Sequence, residues 1–188
     1  MTTATQGQTG SQAQGPATHQ DAHAGNSGFL ATNIDALINW GRSNSLWPYP
    51  YATACCGIEF MSAASSRFDL ARFASEFFRF TPRSADLLLV MGTITYKQAP
   101  ILRRIWEQMA EPKWVIAVGA CACSGGFYDC YCTVPGIDEI VPVDVYIAGC
   151  PPRPEGYMEA LMLLQEKIKD ESYMEQRRQG LHQKVYIG

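Results

Sequence analysis

Asp86-Leu87-Leu88-Leu89-Val90-Met91-Gly92 is a continuous apolar run that ends at a glycine, and it decides the fold class. Two further apolar runs follow it, at Trp114–Gly119 and Val141–Ile147. Helical patterns alternate with these runs over Gln98–Glu111 and Glu155–Lys169. Continuous apolar strands that alternate with helices are typical of a parallel sheet covered on both faces. The sequence therefore predicts an α/β protein.

The segments around this core are predicted from composition and spacing. Residues 1–28 contain no aromatic residue, Lys or Arg, and are predicted to be a disordered arm. Residues 29–170 form the predicted α/β domain, and residues 171–188 a polar tail. Within the domain, two prolines indicate an extended segment over Trp47–Tyr51. The near-helical spacing of three arginines in Arg67–Phe80 predicts a surface helix or a docking face.

Composition excludes several functions. The chain has 188 residues, enough for about one domain, and its net charge of −3 argues against binding nucleic acid. No apolar run approaches the ~20 residues of a membrane span, so the chain is expected to be soluble or peripheral.

Cysteine and histidine usage narrows the chemistry. The chain has seven cysteines but only three histidines, at His19, His23 and His182, all in the terminal segments. A Cys/His zinc site, a Cys–His pair and a Ser–His triad therefore lack their imidazole within the predicted domain. Without an export signal we expect a reducing compartment, where cysteines more often serve metal or redox chemistry than disulfides. All-thiolate ligation favours zinc or iron–sulfur centres.

Four cysteines form a candidate set. Cys55 and Cys56 are adjacent, which indicates a strained disulfide, two free thiols or an unusual metal site. Cys121 and Cys150 each follow a predicted strand, at the sheet edge where parallel α/β folds bind ligands. The long intervals between them are unlike the close cysteine pairs of a structural zinc site. A cluster bound by two adjacent residues is expected to strain the backbone or to leave one ligand labile.

The motifs together resemble those of a known family. In chain order they are Trp40-Gly41-Arg42-Ser43-Asn44-Ser45-Leu46-Trp47-Pro48, Cys55-Cys56 with Glu59, Ser84-Ala85-Asp86-Leu87, Gly119-x-Cys121-x-x-x-Gly125-Gly126, Val141-Pro142-Val143-Asp144-Val145-Tyr146 and Gly149-Cys150-Pro151-Pro152-Arg153-Pro154-Glu155. This series resembles the B subunit of the proton-pumping NADH:quinone oxidoreductase, respiratory complex I, over about residues 30 to 170.

The resemblance implies a fold and a cofactor. The fold would be a flavodoxin-like parallel sheet flanked by helices, related to the small subunit of nickel–iron hydrogenases. The cofactor would be one 4Fe–4S cluster, called N2, with Cys55, Cys56, Cys121 and Cys150 as its ligands. The chain would then be an electron-transfer subunit of an enzyme, without a complete active site of its own.

The resemblance also implies an electron acceptor and partners. Quinone would be reduced at the interface with the D subunit, with Trp47, Glu59 and Met61 toward its pocket. Further partners would be the C, I and H subunits, in a complex on the cytoplasmic side of the inner membrane where this chain is peripheral.

Other interpretations stay open. The small subunit of a membrane-bound nickel–iron hydrogenase shares the ligand plan, and a thiolate zinc module with a structural role belongs to another class. Cys123, Cys130 and Cys132 are not ligands in the resembled family and are predicted to be small buried hydrophobes. A redox-sensing role for them requires exposure and a lowered thiol pKa.

Overall fold

The structure of the protein is a computed structural model that describes residues 29–170 and 185–187. The predicted arm and most of the predicted tail lie outside these residues. Five parallel strands form one sheet in the order β1-β2-β3-β4-β5. The strands are β1 (Pro48–Ala52), β2 (Leu87–Met91), β3 (Trp114–Val118), β4 (Val145–Ile147) and β5 (Val185–Ile187).

Five α-helices accompany the sheet within the described residues. They are α1 (Phe29–Ser43), α2 (Cys55–Ala63), α3 (Ala99–Gln108), α4 (Gly119–Ser124) and α5 (Pro154–Asp170). Short 3-10 turns lie at Leu70–Phe73, Pro82–Ser84 and Ile137–Glu139. The predicted α/β fold, a parallel sheet flanked by helices, is confirmed.

The central strands are buried on both faces, as their continuous apolar sequences predict. All five residues of β2 and all five of β3 are buried. Leu87, Leu89 and Met91 of β2 pack with α2 and α5 on one face. Leu88 and Val90 pack with Leu102 of α3 on the other. The alternation arises because successive side chains of a strand point to opposite faces.

Strand β1 does not come from an apolar run, because it reads Pro48-Tyr49-Pro50-Tyr51-Ala52. It pairs with β2, from Pro48↔Leu87 to Ala52↔Met91, and forms an edge of the sheet. Proline cannot donate to a strand ladder and is tolerated at such an edge. The predicted extended segment is thus the first strand. In flavodoxin itself the first strand lies inside the sheet.

The surface helix predicted over Arg67–Phe80 is wrong. Only Leu70–Phe73 forms a 3-10 turn there. Asp69 and Ala74 flank the turn with φ of 52° and 62°, in the left-handed region that interrupts a helix. Aromatic packing holds the rest of the segment, since the guanidinium of Arg79 stacks on Trp47 at 4.5 Å. Val185–Ile187, within the predicted tail, adds β5 beside β4.

A buried ion pair secures β4. The Nζ of Lys167 on α5 lies 2.8 Å from Oδ1 of Asp144, and the two side chains are 8% and 1% exposed. The other carboxylate oxygen accepts a hydrogen bond of 2.8 Å from the Val115 amide of β3. Asp144 therefore joins β3, β4 and α5 next to the strand that leads to Cys150.

None of the described helices has both the length and the apolar character needed to cross a membrane.

Candidate metal centre

Three strands deliver the four predicted ligands to one edge of the sheet. Cys55 and Cys56 open α2 shortly after β1, Cys121 lies on α4 directly after β3, and Cys150 follows β4 by three residues. Because the strands are parallel, their carboxyl ends meet at the same edge. We call Cys55, Cys56, Cys121 and Cys150 the four-thiol site.

The thiols of this site influence one another. Burial first, and then the neighbouring thiols of Cys55, Cys121 and Cys150, raise the pKa of Cys56 to about 12. Cys56 is 2% exposed and Cys121 7%, whereas Cys55 and Cys150 are exposed. The site thus has a buried half and an open half. A cation would be needed to hold Cys56 as a thiolate at neutral pH.

The glycines beside the cysteines let the backbone lie close to the sulfurs. Gly119 has φ of +83°, and a Cβ built there would lie 2.5 Å from Sγ of Cys56. Gly126 has φ of +63°, and its Cβ would lie 3.3 Å from Sγ of Cys121. The Ala120 amide donates to the Gly149 carbonyl at 2.8 Å, which ties the end of β3 to the end of β4. The backbone here is shaped to approach the sulfurs closely.

The adjacent pair is accommodated by a helix start. Cys55 and Cys56 are the first two residues of α2, and neither has a positive φ. The strain or the labile ligand expected when an adjacent pair binds a cluster stays a prediction. The hydroxyl of Tyr157 on α5 donates to the Cys56 carbonyl at 2.8 Å, from a buried position. Burial, then Cys56, Glu59 and Cys55, raise the pKa of Tyr157, so it stays a neutral donor.

The donor set fits an iron–sulfur cluster. It comprises thiols alone, the ligands that such clusters take. Within residues 29–170 and 185–187, no three Cys, His, Asp or Glu side chains stand close enough together to bind a single metal ion. A cubane separates its ligands more widely than one ion does, so thiols spaced too widely for a single ion remain compatible with a cluster.

The three residues predicted to line a quinone pocket have different surroundings. Met61 is 71% exposed on α2, one turn from Ile58, which is equally exposed. Glu59 is half-buried, near Tyr157. Trp47 is half-buried beneath Arg79, with the ring of Phe77 at 6.4 Å. A quinone pocket built from Trp47, Glu59 and Met61 stays a prediction.

The remaining cysteines correct the sequence analysis. Cys130 and Cys132 are exposed, so their prediction as buried hydrophobes is wrong. Cys123 is partly buried, its thiol lies 3.6 Å from the carbonyl oxygens of Ala117 and Ile147, and burial raises its pKa to about 11. Tyr131 and Val134, which neighbour the pair in the sequence, favoured the wrong prediction that Cys130 and Cys132 are buried. Tyr157 was also missed as a site residue, because its helical spacing indicated only core packing.

Exposed apolar side chains surround the open half of the site. Ile58 and Met61 are each 71% exposed, and Phe127, which follows Gly126, is 72% exposed. Large exposed apolar groups beside a site mark a surface for a partner.

The fold and the thiols define a class: an α/β protein whose parallel sheet gathers four cysteines at its carboxyl edge. The family described as NADH ubiquinone oxidoreductase, 20 Kd subunit, matches residues 54–164. The chain belongs to this family, and it is therefore a subunit of an oxidoreductase complex.

Relatives agree with this assignment. The B subunit of the NADH-quinone oxidoreductase of Aliarcobacter butzleri is 64% identical over 149 residues, 79% of this chain and 87% of the relative. The corresponding B subunit of Campylobacter fetus is 63% identical over 143 residues, 76% and 85% of the two chains. A chain of the archaeal membrane-bound sulfane sulfur reductase, a respiratory membrane complex, has a TM-score of 0.70 at 36% identity, covering 78% of this chain and 84% of its own.

Proposed function

We propose that this chain is the electron-transfer subunit that carries one 4Fe–4S cluster, N2, and passes electrons to quinone in a proton-pumping NADH:quinone oxidoreductase. The observation that carries the proposal is the gathering of Cys55, Cys121 and Cys150 around the buried Cys56 at the ends of β1, β3 and β4. The relatives from Aliarcobacter butzleri and Campylobacter fetus support the kind of complex.

Each thiol has a role set by its position. Cys56 and Cys121 would hold the cluster on its protein side, because both are buried. Cys55 and Cys150 would hold its open side, where a partner subunit excludes water. The bound cluster supplies one-electron transfer. Tyr157 fixes the Cys56 backbone through its hydrogen bond, and Gly119 keeps Cβ atoms away from Cys56 Sγ.

Quinone would bind at a shared surface with the D subunit. Met61 and Ile58 present exposed apolar side chains on the helix that begins with Cys55. This places apolar surface within a few turns of the ligands, and it supports Met61 as a contact for the quinone. Glu59 and Trp47 are proposed to complete the pocket with residues of the D subunit. The C, I and H subunits are proposed to cover other faces, and the complex is proposed to hold the chain peripherally on the cytoplasmic side of the inner membrane.

The test compares the buried thiol of Cys56 with the partly buried thiol of Cys123 in the assembled complex. Cys56→Ala should abolish the quinone-coupled EPR signal of NADH-reduced membranes at low temperature, together with NADH:quinone activity. Cys123→Ala is the matched control, because its thiol also has a raised pKa but lies outside the four-thiol site. An unchanged signal in Cys56→Ala would refute the ligand assignment.

Metal analysis separates the competing classes. Equal iron and acid-labile sulfide that fall together in Cys56→Ala support the cluster, whereas zinc without sulfide shows a structural module. A hydrogenase would instead reveal itself by nickel in the partner subunit and by hydrogen-dependent reduction.

A further inference from the structure

A second pair of cysteines lies outside the four-thiol site. Cys130 and Cys132 are both exposed, with 3.2 Å between their Sγ atoms. Tyr131 between them is 97% exposed. We call Tyr128–Val134 the dithiol loop. At this distance the two free thiols are hydrogen-bonded to each other. Both sulfurs therefore lie side by side on the surface.

The loop backbone is held while the two side chains can rotate. The Tyr96 amide donates to the Cys132 carbonyl at 3.0 Å, and the Val134 amide donates to the Ile94 carbonyl at 2.9 Å. The Thr133 amide donates to the Cys130 carbonyl at 3.3 Å and closes a turn. A disulfide needs its sulfurs at about 2.05 Å. Side-chain rotation within this fixed turn supplies the remaining approach.

The two thiols differ in reactivity. Oγ1 of Thr133 lies 3.2 Å from Cys130 Sγ and 2.7 Å from the Tyr128 carbonyl. The contact with the Thr133 hydroxyl, then the contact with the Cys132 thiol, lowers the pKa of Cys130 to about 7. The single hydroxyl proton, which Thr133 donates to the Tyr128 carbonyl, must turn to the sulfur when Cys130 is a thiolate. The pKa of Cys132 is raised by its hydrogen bond with Cys130. A large share of Cys130 is therefore thiolate at neutral pH, whereas Cys132 stays a thiol.

We propose that Cys130 and Cys132 form a reversible disulfide by exchange with low-molecular-weight disulfides. The Cys130 thiolate attacks one sulfur of the small disulfide, whose S–S bond breaks and releases one thiolate. Cys132, after losing its proton to water, attacks Cys130 Sγ and releases the second thiolate. Two protein thiols are oxidised and one small disulfide is reduced to two thiolates, which take up from solvent the two protons that the protein thiols released and become two thiols. The site does not depend on the function proposed for the four-thiol site.

The chain allows the pair to be isolated on one peptide. Cleavage before aspartate gives Asp129–Ile137, whose only cysteines are Cys130 and Cys132. The purified complex is equilibrated in buffers of reduced and oxidised glutathione, blocked with iodoacetamide and digested. We expect this peptide to change from two carbamidomethyl groups to none, with a mass lower by two hydrogens than the unmodified peptide, and to recover after dithiothreitol.

Single variants test the order of attack. In Cys132→Ser the serine hydroxyl keeps a hydrogen-bond donor beside Cys130 but cannot displace glutathione. Cys130 should therefore accumulate a glutathione adduct. In Cys130→Ser the remaining Cys132 loses the neighbour that raises its pKa but does not gain the contacts that lower the pKa of Cys130, so it should form this adduct several-fold more slowly at pH 7. Thr133→Val should slow the adduct on Cys130, and Thr133→Ser should restore it.

The outcomes are distinct. An intramolecular disulfide that tracks the glutathione ratio supports the proposal even if the four-thiol site proves to bind no cluster. Two alkylated thiols at every ratio, stable glutathione adducts on both cysteines of the native chain, or a metal ion bound to the pair would each overturn it.

Discussion

The two cysteine pairs of this chain have similar sequences and opposite surroundings. Cys55 and Cys56 open a helix at the carboxyl edge of the sheet, where burial raises the pKa of Cys56 to about 12. Cys130 and Cys132 lie on an exposed turn, where hydrogen bonds lower the pKa of Cys130 to about 7. Cys56 becomes a thiolate at neutral pH only with a cation to bind, whereas Cys130 ionises in water. Position in the fold, not residue type, therefore sets how readily each of these two thiols ionises.

The largest effect is expected from Gly119→Val, which tests the buried side of this comparison. The new Cβ would lie 2.5 Å from Cys56 Sγ and would sit at φ of +83°, a conformation that costs a β-branched residue about 1–3 kcal/mol. We expect the assembled complex to lose the iron and sulfide of the four-thiol site, while the dithiol loop still exchanges with glutathione.

Gly41→Ala is the control for Gly119→Val. A Cβ at Gly41 meets no atom within 4 Å, and alanine favours helix α1 by up to about 1 kcal/mol. Iron content measured beside this control should be unchanged. Full iron in Gly119→Val would mean that the close approach of Gly119 to Cys56 is irrelevant to the site.

The next effect is expected from Lys167→Met, which removes the ammonium that lies 2.8 Å from the buried Asp144 carboxylate. Removing one partner of a buried pair costs about 3–5 kcal/mol. Since Asp144 joins β3 to β4, the complex should lose the visible absorbance of this subunit's site at a lower temperature. Glu107→Gln breaks the exposed pair with Arg103 and should cost less than about 1 kcal/mol. Equal melting of the two variants would contradict the structural role of Asp144.

The sequence predicts the buried side of the comparison better than the exposed side. Strands β2 and β3 are apolar throughout, so their place in the sheet follows from hydrophobic burial. The sequence does not identify β1 as a strand because it contains Pro48 and Pro50, which a strand tolerates only at the edge of a sheet. The six-residue helix α4 was not predicted, because the glycines in and after it indicate a loop. Gly125, at φ of +77°, in fact ends the helix.

Four cysteines were predicted as a set from their motifs and strand ends, and the structure brings Cys55, Cys121 and Cys150 close enough to Cys56 to raise its pKa. Their role as cluster ligands stays a prediction. The dithiol loop could not be predicted, because exposure there depends on backbone bonds to Ile94 and Tyr96. These bonds join segments far apart in the sequence. Local composition around Cys130 and Cys132 carries no sign of them.

A third effect is the pH dependence of Cys130. Only the thiolate is alkylated, so its rate should rise about tenfold per pH unit below the pKa and level off above about pH 8. Its titratable neighbour is Cys132, which stays protonated over this range. Cys123, with a pKa of about 11, should still gain rate above pH 8. Iodoacetamide labelling of the native complex, read on separate peptides, measures both. Parallel profiles for Cys130 and Cys123 would remove the contrast between the two environments.

The smallest effect is expected from Tyr157→Phe, which removes the hydroxyl that donates to the Cys56 carbonyl. A hydrogen bond of this kind contributes about 0.5–1.5 kcal/mol, so the cluster should remain but be lost at a temperature a few degrees lower. Tyr131→Phe is the matched control, because its side chain is 97% exposed and should melt like the native chain. The EPR line shape should also change in Tyr157→Phe alone, because Cys56 loses the contact that fixes its backbone. If both variants keep the native signal and melting temperature, α5 positions Cys56 through packing rather than through this hydrogen bond.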